Sequence, residues 1–484
     1  MYIVLLGITV SKHEPWFDEA QAWLLARDSG LVELLVRYLR YEGSPGLWHL
    51  LLMVPAKLGA PYIVLNIISA VFAAAGVYLF LRYSPFPPLI KILYPFSFFA
   101  FYQYAVVARS YALLSVLLFS IAVIYKDKID KPFLFTGLII LLANVSFHGL
   151  LIAASLIFIH VTDIIKLWFS IKLSIRYRHI AAILLFGIII FLIKLQLQPP
   201  KDLISVAGFN RDISQVFNKG MGMLVNSLAV NNLAAYNSST FHNLTNILSK
   251  FAIVLTLFWL TLRKNLLVYI VPVSALSILF TTIYSHVWHQ GTLFLTWIFS
   301  LWISFENLNG SKDKITSISK GLVTLTLAAV LSIQAYWSYS SLSYDYHRSY
   351  SASKDVAYYI KANQLENKKI YATNFHSMSI QPYFKSNIFC NYNNRQQPSF
   401  WIWSRENSMY REPYLVVSDY DPDIIILGVK NYGPKNEAVD KPYIPDISGY
   451  RFSRLFIGAL YWKNRILETD SFILYEKSQV PSDS

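Results

Sequence analysis

Long runs of consecutive apolar residues dominate the first two thirds of this chain, where a soluble fold would show helical stripes or strict alternation. They fall at 2–10, 47–60, 62–81, 92–125, 133–147, 149–165, 180–196, 246–262, 266–284, 291–304 and 321–338. Most approach the length of about twenty residues that crosses about 30 Å of hydrocarbon, and 92–125 is long enough for two crossings. Residues 1–340 are therefore predicted to form an α-helical polytopic membrane domain of about 11–12 spans. From about Tyr344 the pattern changes, with Asn, Tyr, Lys and Asp replacing Leu and Ile. Segment 353–363 (SKDVAYYIKAN) has helical spacing behind a Ser cap, and KKIYATN, YLVVSDY, DIIILGV and SFILYEK read as short strands. Residues 341–484 are expected to form a small soluble α/β or α+β domain.

Composition agrees with lipid as the solvent. The 484 residues are 55% hydrophobic and only 14% charged, against about 25% charged in soluble domains. An ordinary soluble enzyme is excluded. The single cysteine, Cys390, excludes a disulfide framework and cysteine zinc sites and reads as a small buried hydrophobe. The net charge of +14 would fit a nucleic-acid binder if it lay on one soluble module, but residues 340–484 hold 17 basic against 15 acidic residues. The excess lies in short loops between apolar runs: Lys126, Lys128 and Lys131; Lys166, Lys172, Arg176 and Arg178; Arg263 and Lys264; Lys312, Lys314 and Lys320. That is the positive-inside pattern, and no nucleic-acid partner is expected.

With those loops in the cytoplasm, five features share the opposite face: Arg109, the His148-Gly149 turn, the loop 197–245, the turn from His286 to Gln290, and everything after Ser340. The membrane part thus has one functional side. Runs 47–60 and 62–81 conflict with this orientation, because two crossings there would place Arg82 and Lys91 outside. Run 2–10 is half the usual length, as a start codon set too late would produce, and it lacks the basic flank and cleavage site of a signal peptide.

Six of the 13 acids before residue 340 crowd into the first outward loop, 11–46: Glu14, Asp18, Glu19, Asp28, Glu33 and Glu42. Its segment HEPWFDEAQAWLLARDSG reads as an amphipathic helix lying on the membrane with Asp18 in its first turn. The bland alternative is a set of solvated loop acids. Four other polar spots stand at span ends on the same face: His49, Arg109, His148, and His286 with His289. Ionisable groups at membrane depth are costly and point to function, while a span-end histidine can equally snorkel or bond a backbone carbonyl. Arg109 offers a bidentate fork for phosphate, or else anchors a helix end. His286 and His289 could join Asp18 or Glu19 around a divalent metal, yet no HExxH or cysteine cluster supports one, and no cofactor is expected to be required. Walker A, dinucleotide and GxSxG motifs are absent. The sequons at Asn144, Asn237 and Asn243 need no explanation in an Asn-rich chain.

The motifs PWFDEAQAW, GSPGLWHLLL and ARSYALL, with a later His-Gly at a span end, resemble the GT-C glycosyltransferases, in particular the bacterial protein O-mannosyltransferase-like and lipid A aminoarabinose transferase-like group. The resemblance covers roughly residues 1–340. It implies an inverting transferase that moves a sugar from a polyprenyl-phosphate carrier to a glycan, lipid or protein acceptor on the extracytoplasmic face of a bacterial cell membrane. It implies Asp18 as base, with Glu19 expected to orient it or the acceptor; the leaving lipid phosphate needs a fixed cation, for which Arg109 is best placed with His148 or His289 assisting, and His49, Tyr111 and His286 are expected toward substrate. A transporter or flippase of lipid-linked oligosaccharide and a polysaccharide polymerase remain as alternatives.

Overall fold

A half-length helix opens the chain in the computed structural model, which describes residues 1–170, 172–204, 213–231, 240–306, 314–407, 419–429 and 443–478. Helix α1 (Tyr2–Lys12) leads through His13–Trp16 into α2 (Phe17–Asp28). Two short helices, α3 (Leu31–Glu33) and α4 (Leu39–Glu42), flank a π-helical turn at Leu34–Tyr38, and α5 (Leu47–Lys57) follows. Next come α6 (Val64–Tyr83) and α7 (Pro88–Leu93), which runs on through Tyr94–Phe96 into a π-helical segment, Phe99–Val106. After a break at 107–110 the bundle continues with α8 (Tyr111–Ile124), α9 (Pro132–Ala143), α10 (Phe147–Leu167), α11 (Leu173–Gln196), α12 (Ile213–Leu228), α13 (Thr240–Leu262), α14 (Leu266–Thr282), α15 (Gln290–Glu306) and α16 (Lys314–His347).

Among the described residues, six helices are long and apolar enough to cross a membrane: Val64–Tyr83, Pro88–Val106, Phe147–Leu167, Leu173–Gln196, Thr240–Leu262 and Lys314–His347. The expected 11–12 full crossings are thus reduced by length. At 1.5 Å per residue, α5 rises only about 16 Å, and α1 and α9 are as short. This removes the conflict around 47–81, since α5 cannot make a full crossing alone. Run 92–125 breaks into two helices at 107–110, but only Pro88–Val106 is long enough to cross a membrane, and α8 with its 14 residues is not, so the run supplies one full crossing in place of the two its length suggested. Helix α15 lies at the centre, with every residue from Gln290 to Phe305 buried. Helix α11 is the opposite case: Leu184, Ile188, Phe191 and Leu192 are exposed, an apolar exterior that water does not favour.

The tail is an α+β unit. It comprises α17 (Ser353–Ala362) and a sheet of β1 (Ile370–Ala372), β2 (Ile424–Val429), β3 (Tyr450–Phe456) and β6 (Ser471–Lys477), with β4 (Ala459–Trp462) and β5 (Arg465–Thr469) as a separate hairpin. The sheet order is β1-β2-β6-β3, parallel only between β1 and β2. Three of the four sequence strands are β1, β2 and β6; most of YLVVSDY lies outside the described residues. Ser353 is the first helical residue rather than the cap, and its hydroxyl donates to Pro15 O at 3.2 Å. Helix α16 continues past residue 340 to His347, so the bundle and tail share one element.

Candidate functional site

Helix α2 places neighbouring carboxylates on opposite sides, because successive residues turn by about 100° around a helix axis. Glu19 points inward and is fully buried. Its carboxylate caps its own helix by accepting from Trp16 N at 3.2 Å, and it takes Asn66 Nδ2 at 3.0 Å and Ala108 N at 2.6 Å. Asn66 also donates to Val106 O at 3.1 Å. Glu19 and Asn66 therefore satisfy backbone groups left open by the break at 107–110, which a buried chain cannot leave unpaired. That break carries Arg109.

A second buried acid completes the support. His13 lies 3.1 Å from Glu19 Oε2 through Nε2 and 2.8 Å from Asp345 Oδ2 through Nδ1, and Tyr102 donates to Asp345 Oδ1 at 2.8 Å. Burial alone would lower the basicity of His13, but the flanking carboxylates of Glu19 and Asp345 more than reverse this and push it up to about 10. His13 is accordingly an imidazolium that donates from both nitrogens, joining α16 to α2.

Asp18 turns the other way, into a pocket of about 140 Å³ lined also by Gln21, Glu42, His49, Arg109 and Trp403. Arg109 Nη1 lies 2.7 Å from Asp18 Oδ2, with each side chain about a quarter exposed, at 24% and 23%. The guanidinium rests over the rings of Tyr111 and Trp288, at 5.4 and 5.7 Å from their centroids. Tyr104 holds that floor, stacking on Tyr111 at 4.6 Å and donating to Trp288 O at 2.8 Å. Gly291 is required beneath it, since a Cβ there would run into the Tyr104 ring. Glu42 accepts from Gln21 Nε2 at 2.8 Å. Burial, with the nearby charge of Asp18 adding to it, pushes the Glu42 carboxyl up to about 7. The pocket thus combines one fixed cation, one carboxylate paired to it and one carboxyl poised near neutrality. Its volume is below the roughly 300–1,000 Å³ of ordinary ligand pockets, so it admits a reacting centre and leaves the bulk of any large substrate outside.

The histidines gather behind this pocket. His148 and His289 stand with ring centroids 4.4 Å apart, and Tyr111 lies 6.0 Å from His148 and 6.5 Å from His289. His289 Nδ1 accepts from His286 N at 3.0 Å, while the exposed His286 ring stacks on Trp288 at 4.5 Å. His148, His289 and Tyr111 are buried and do not line the cavity that Asp18 and Arg109 share. His148 and His289 pack against Tyr111, the ring beneath Arg109. Glu19 is likewise enclosed, and its carboxylate holds the loop that carries Arg109. Among the described residues no group of three or more His, Cys, Asp or Glu is arranged to hold a metal ion.

Helix α2 is not an amphipathic helix lying open on a membrane. Phe17 and every residue from Glu19 to Ala26 are buried, because the tail covers it. Gln21 and Trp401 exchange hydrogen bonds, Nε2 to Trp401 O at 2.7 Å and Trp401 N to Oε1 at 2.9 Å. Arg27 donates to Phe384 O and Ser399 Oγ, each at 2.7 Å. Trp403 closes one wall of the pocket against Phe17 at 6.1 Å. Gln21 and Glu42 were visible in the sequence as polar positions of an acid-rich loop, with Gln21 one helical turn beyond Asp18. Nothing in the sequence marked Trp403 as their neighbour. Comparison with family models, curated proteins and solved structures finds no match to the chain.

Proposed function

We propose that this protein is an integral membrane glycosyltransferase that moves a sugar from a polyprenyl-phosphate carrier to a hydroxyl acceptor with inversion, at the extracytoplasmic end of its helix bundle. The observation that carries this reading is the Asp18–Arg109 pair, a carboxylate and a guanidinium in contact in one partly open pocket. The acceptor oxygen attacks the anomeric carbon while the bond from that carbon to the phosphate oxygen breaks on the opposite face. The hydroxyl proton passes to Asp18, and the departing electron pair stays on the polyprenyl phosphate, whose charge Arg109 neutralises. In the structure the two groups hold each other. An entering donor phosphate competes for Arg109 and frees Asp18 to face the acceptor.

Glu42 faces the same pocket and titrates near neutrality, so it decides whether the pocket already holds a proton when the acceptor arrives. A groove of about 550 Å³ lies beside α4, lined by Leu35, Val36, Ile140, Ile189 and Leu192 with Arg40 at its edge. It offers an apolar course for a lipid chain. The test is sugar transfer from a polyprenyl-phosphate donor by the purified full chain and by Asp18→Asn. Transfer by the wild type and its loss in the variant support the reading. Translocation of lipid-linked sugar across sealed vesicles without transfer would instead establish a flippase.

A further inference from the structure

The end of the bundle away from Asp18 holds a second, chemically different cavity. It has a volume of about 490 Å³ and lies where α8, α10, α13 and α15 end and α14 begins. Four lysines line it: Lys126 and Lys128 from the α8–α9 connection, Lys166 from the last turn of α10, and Lys264 from the α13–α14 turn. Two acids also face it. Asp163 is occupied by Lys128 at 2.7 Å, and Glu306 accepts from Trp302 Nε1 at 3.0 Å. Lys128 in turn sits over the Tyr125 ring at 3.9 Å. Among the described residues the side chains of Lys126, Lys166 and Lys264 make no hydrogen bond or close ion pair, and Lys126 feels the charges of Glu306 and Asp127 only through space, so three ammonium groups from separate elements converge on one hollow that holds a single unpaired acid, Glu306.

The cavity wall adds two further features. Leu266 and Leu267, in the first turn of the 17-residue α14, line it, and first-turn amides have no acceptor within their own helix. They supply N–H donors and the positive end of the helix dipole to an anion. Ile159, Leu267 and Ile303 supply an apolar part of the wall beside Thr261 and Asn265, and Ile165 and Leu167 of α10 with Leu267 and Ile270 of α14 are exposed on the helices that border it. A soluble phosphate would need only the cations. A ligand with a phosphate head and hydrocarbon tails uses the lysines, the amides and the apolar flank together, and basic hollows between membrane helices on the cytoplasmic side bind such lipids.

We propose that this cavity is a binding site for the phosphate of an anionic membrane lipid, seated at the end of the bundle opposite the Asp18 pocket. It rests on the membrane placement proposed above and is independent of sugar transfer. The full chain in neutral detergent is titrated with phosphatidylglycerol, phosphatidylcholine or inorganic phosphate, with thermal unfolding as the readout. Phosphatidylglycerol is expected to raise the unfolding temperature, and the other two to do so far less. The triple variant Lys126→Gln, Lys166→Gln, Lys264→Gln should weaken the apparent affinity for phosphatidylglycerol about a hundredfold, at a factor of about five per lysine near a lipid surface. Its three sites are exposed, so its unfolding without lipid should match the wild type. A control variant, Lys172→Gln, Lys314→Gln, Lys320→Gln, removes equal charge from the same end and should bind like the wild type. Equal loss in both variants would mean that the lipid responds to the whole basic face and would overturn the site. Inorganic phosphate protecting as well as phosphatidylglycerol would overturn the lipid. Should the triple variant fail to fold, photo-crosslinking of the wild type with a diazirine phosphatidylglycerol decides: adducts at Leu267 or Ile303 support the site, and adducts only elsewhere refute it. A protein with no transferase activity can still pass each of these tests.

Discussion

Asp18 and Glu19 are adjacent in sequence and live in two regions with opposite chemistry. Around Asp18 the pocket is open, its carboxylate has one close cationic partner, and Glu42 faces it across the same space. Around Glu19 the protein is closed, and four donors from Trp16, Asn66, Ala108 and His13 occupy its oxygens. A carboxylate whose every acceptor site is filled has no capacity left for a substrate proton, whereas a reachable one with a competing cation does. The sealed region holds the open one in shape, since Glu19 fixes the backbone that presents Arg109 to Asp18.

The largest expected effect tests the open side. Asp18→Asn keeps the size of the side chain and removes the proton acceptor, so transfer should fall about 10²–10⁴-fold, the usual contribution of a general base. Its unfolding should stay cooperative, with a loss of unfolding temperature smaller than that of Glu19→Gln, because the pair is about a quarter exposed and the Asn oxygen still accepts from Arg109. Activity near the wild-type rate in a folded Asp18→Asn protein would remove Asp18 from the role of base. The converse variant, Glu19→Gln, leaves the His13 imidazolium and the Ala108 amide with a poorer acceptor. Breaking one partner of a buried ion pair costs about 3–5 kcal/mol. Thermal unfolding should show that loss directly, with activity falling in step as Arg109 loses its support. A Glu19→Gln protein as stable as the wild type would refute the division between the two regions.

That division was only half legible in the sequence. The crowding of acids into residues 11–46 and the Asp-Glu pair behind two aromatic residues pointed to the loop that lines this pocket, and the span ends pointed to His49 and Arg109 beside it. Sequence spacing places residues on an element but does not say which side is sealed by an element hundreds of residues away. Asp345 and Tyr102 fill the sealed side, Trp401 and Trp403 roof the open one, and no local pattern links either set to α2. Glu42 was visible as an acid, but its place opposite Asp18 depends on the π-helical turn at Leu34–Tyr38 and the chain reversal after it. The fold shows the same limit. Apolar runs located nearly every helix, yet hydropathy could not distinguish α15, sealed in the centre of the bundle, from a lipid-facing span.

A smaller effect separates Glu42 from Asp18 within the pocket. With its carboxyl pushed up to about 7, Glu42 gains a proton as the pH falls through neutrality. The rate of transfer at limiting substrate should therefore decline on the acid side with a midpoint near 7, by about tenfold per unit once well below it. Glu42→Gln keeps the contact with Gln21 and should erase that limb while lowering the plateau. An acid limb with the same midpoint in Glu42→Gln would assign it to another group.

The last effect belongs to the sealed region and is read as stability against pH. His13 is raised from 6.5 to about 10 by Glu19 and Asp345 acting against burial. A raised histidine stabilises the fold fully below the unfolded value of 6.5, and this contribution drains away as the pH climbs through the folded value. Glu14 and Glu42, both pushed up to about 7 chiefly by burial, have the same sign, but their cost accrues between about 4.5 and 7 and is complete above that. Lys463, held down by burial, acts in the opposite direction, since losing its proton relieves a buried charge. Cys390, whose thiol burial pushes up, adds a cost of the same sign as His13 once the pH passes the ordinary thiol value, and comparison with His13→Gln cancels both it and the lysine in the window from about pH 7.5 to 10. The wild type should lose unfolding temperature across that window relative to His13→Gln, which starts lower at pH 7. Parallel curves for the two proteins would show that His13 is not charged between its two acids, and the sealed region would then be held by neutral hydrogen bonds alone.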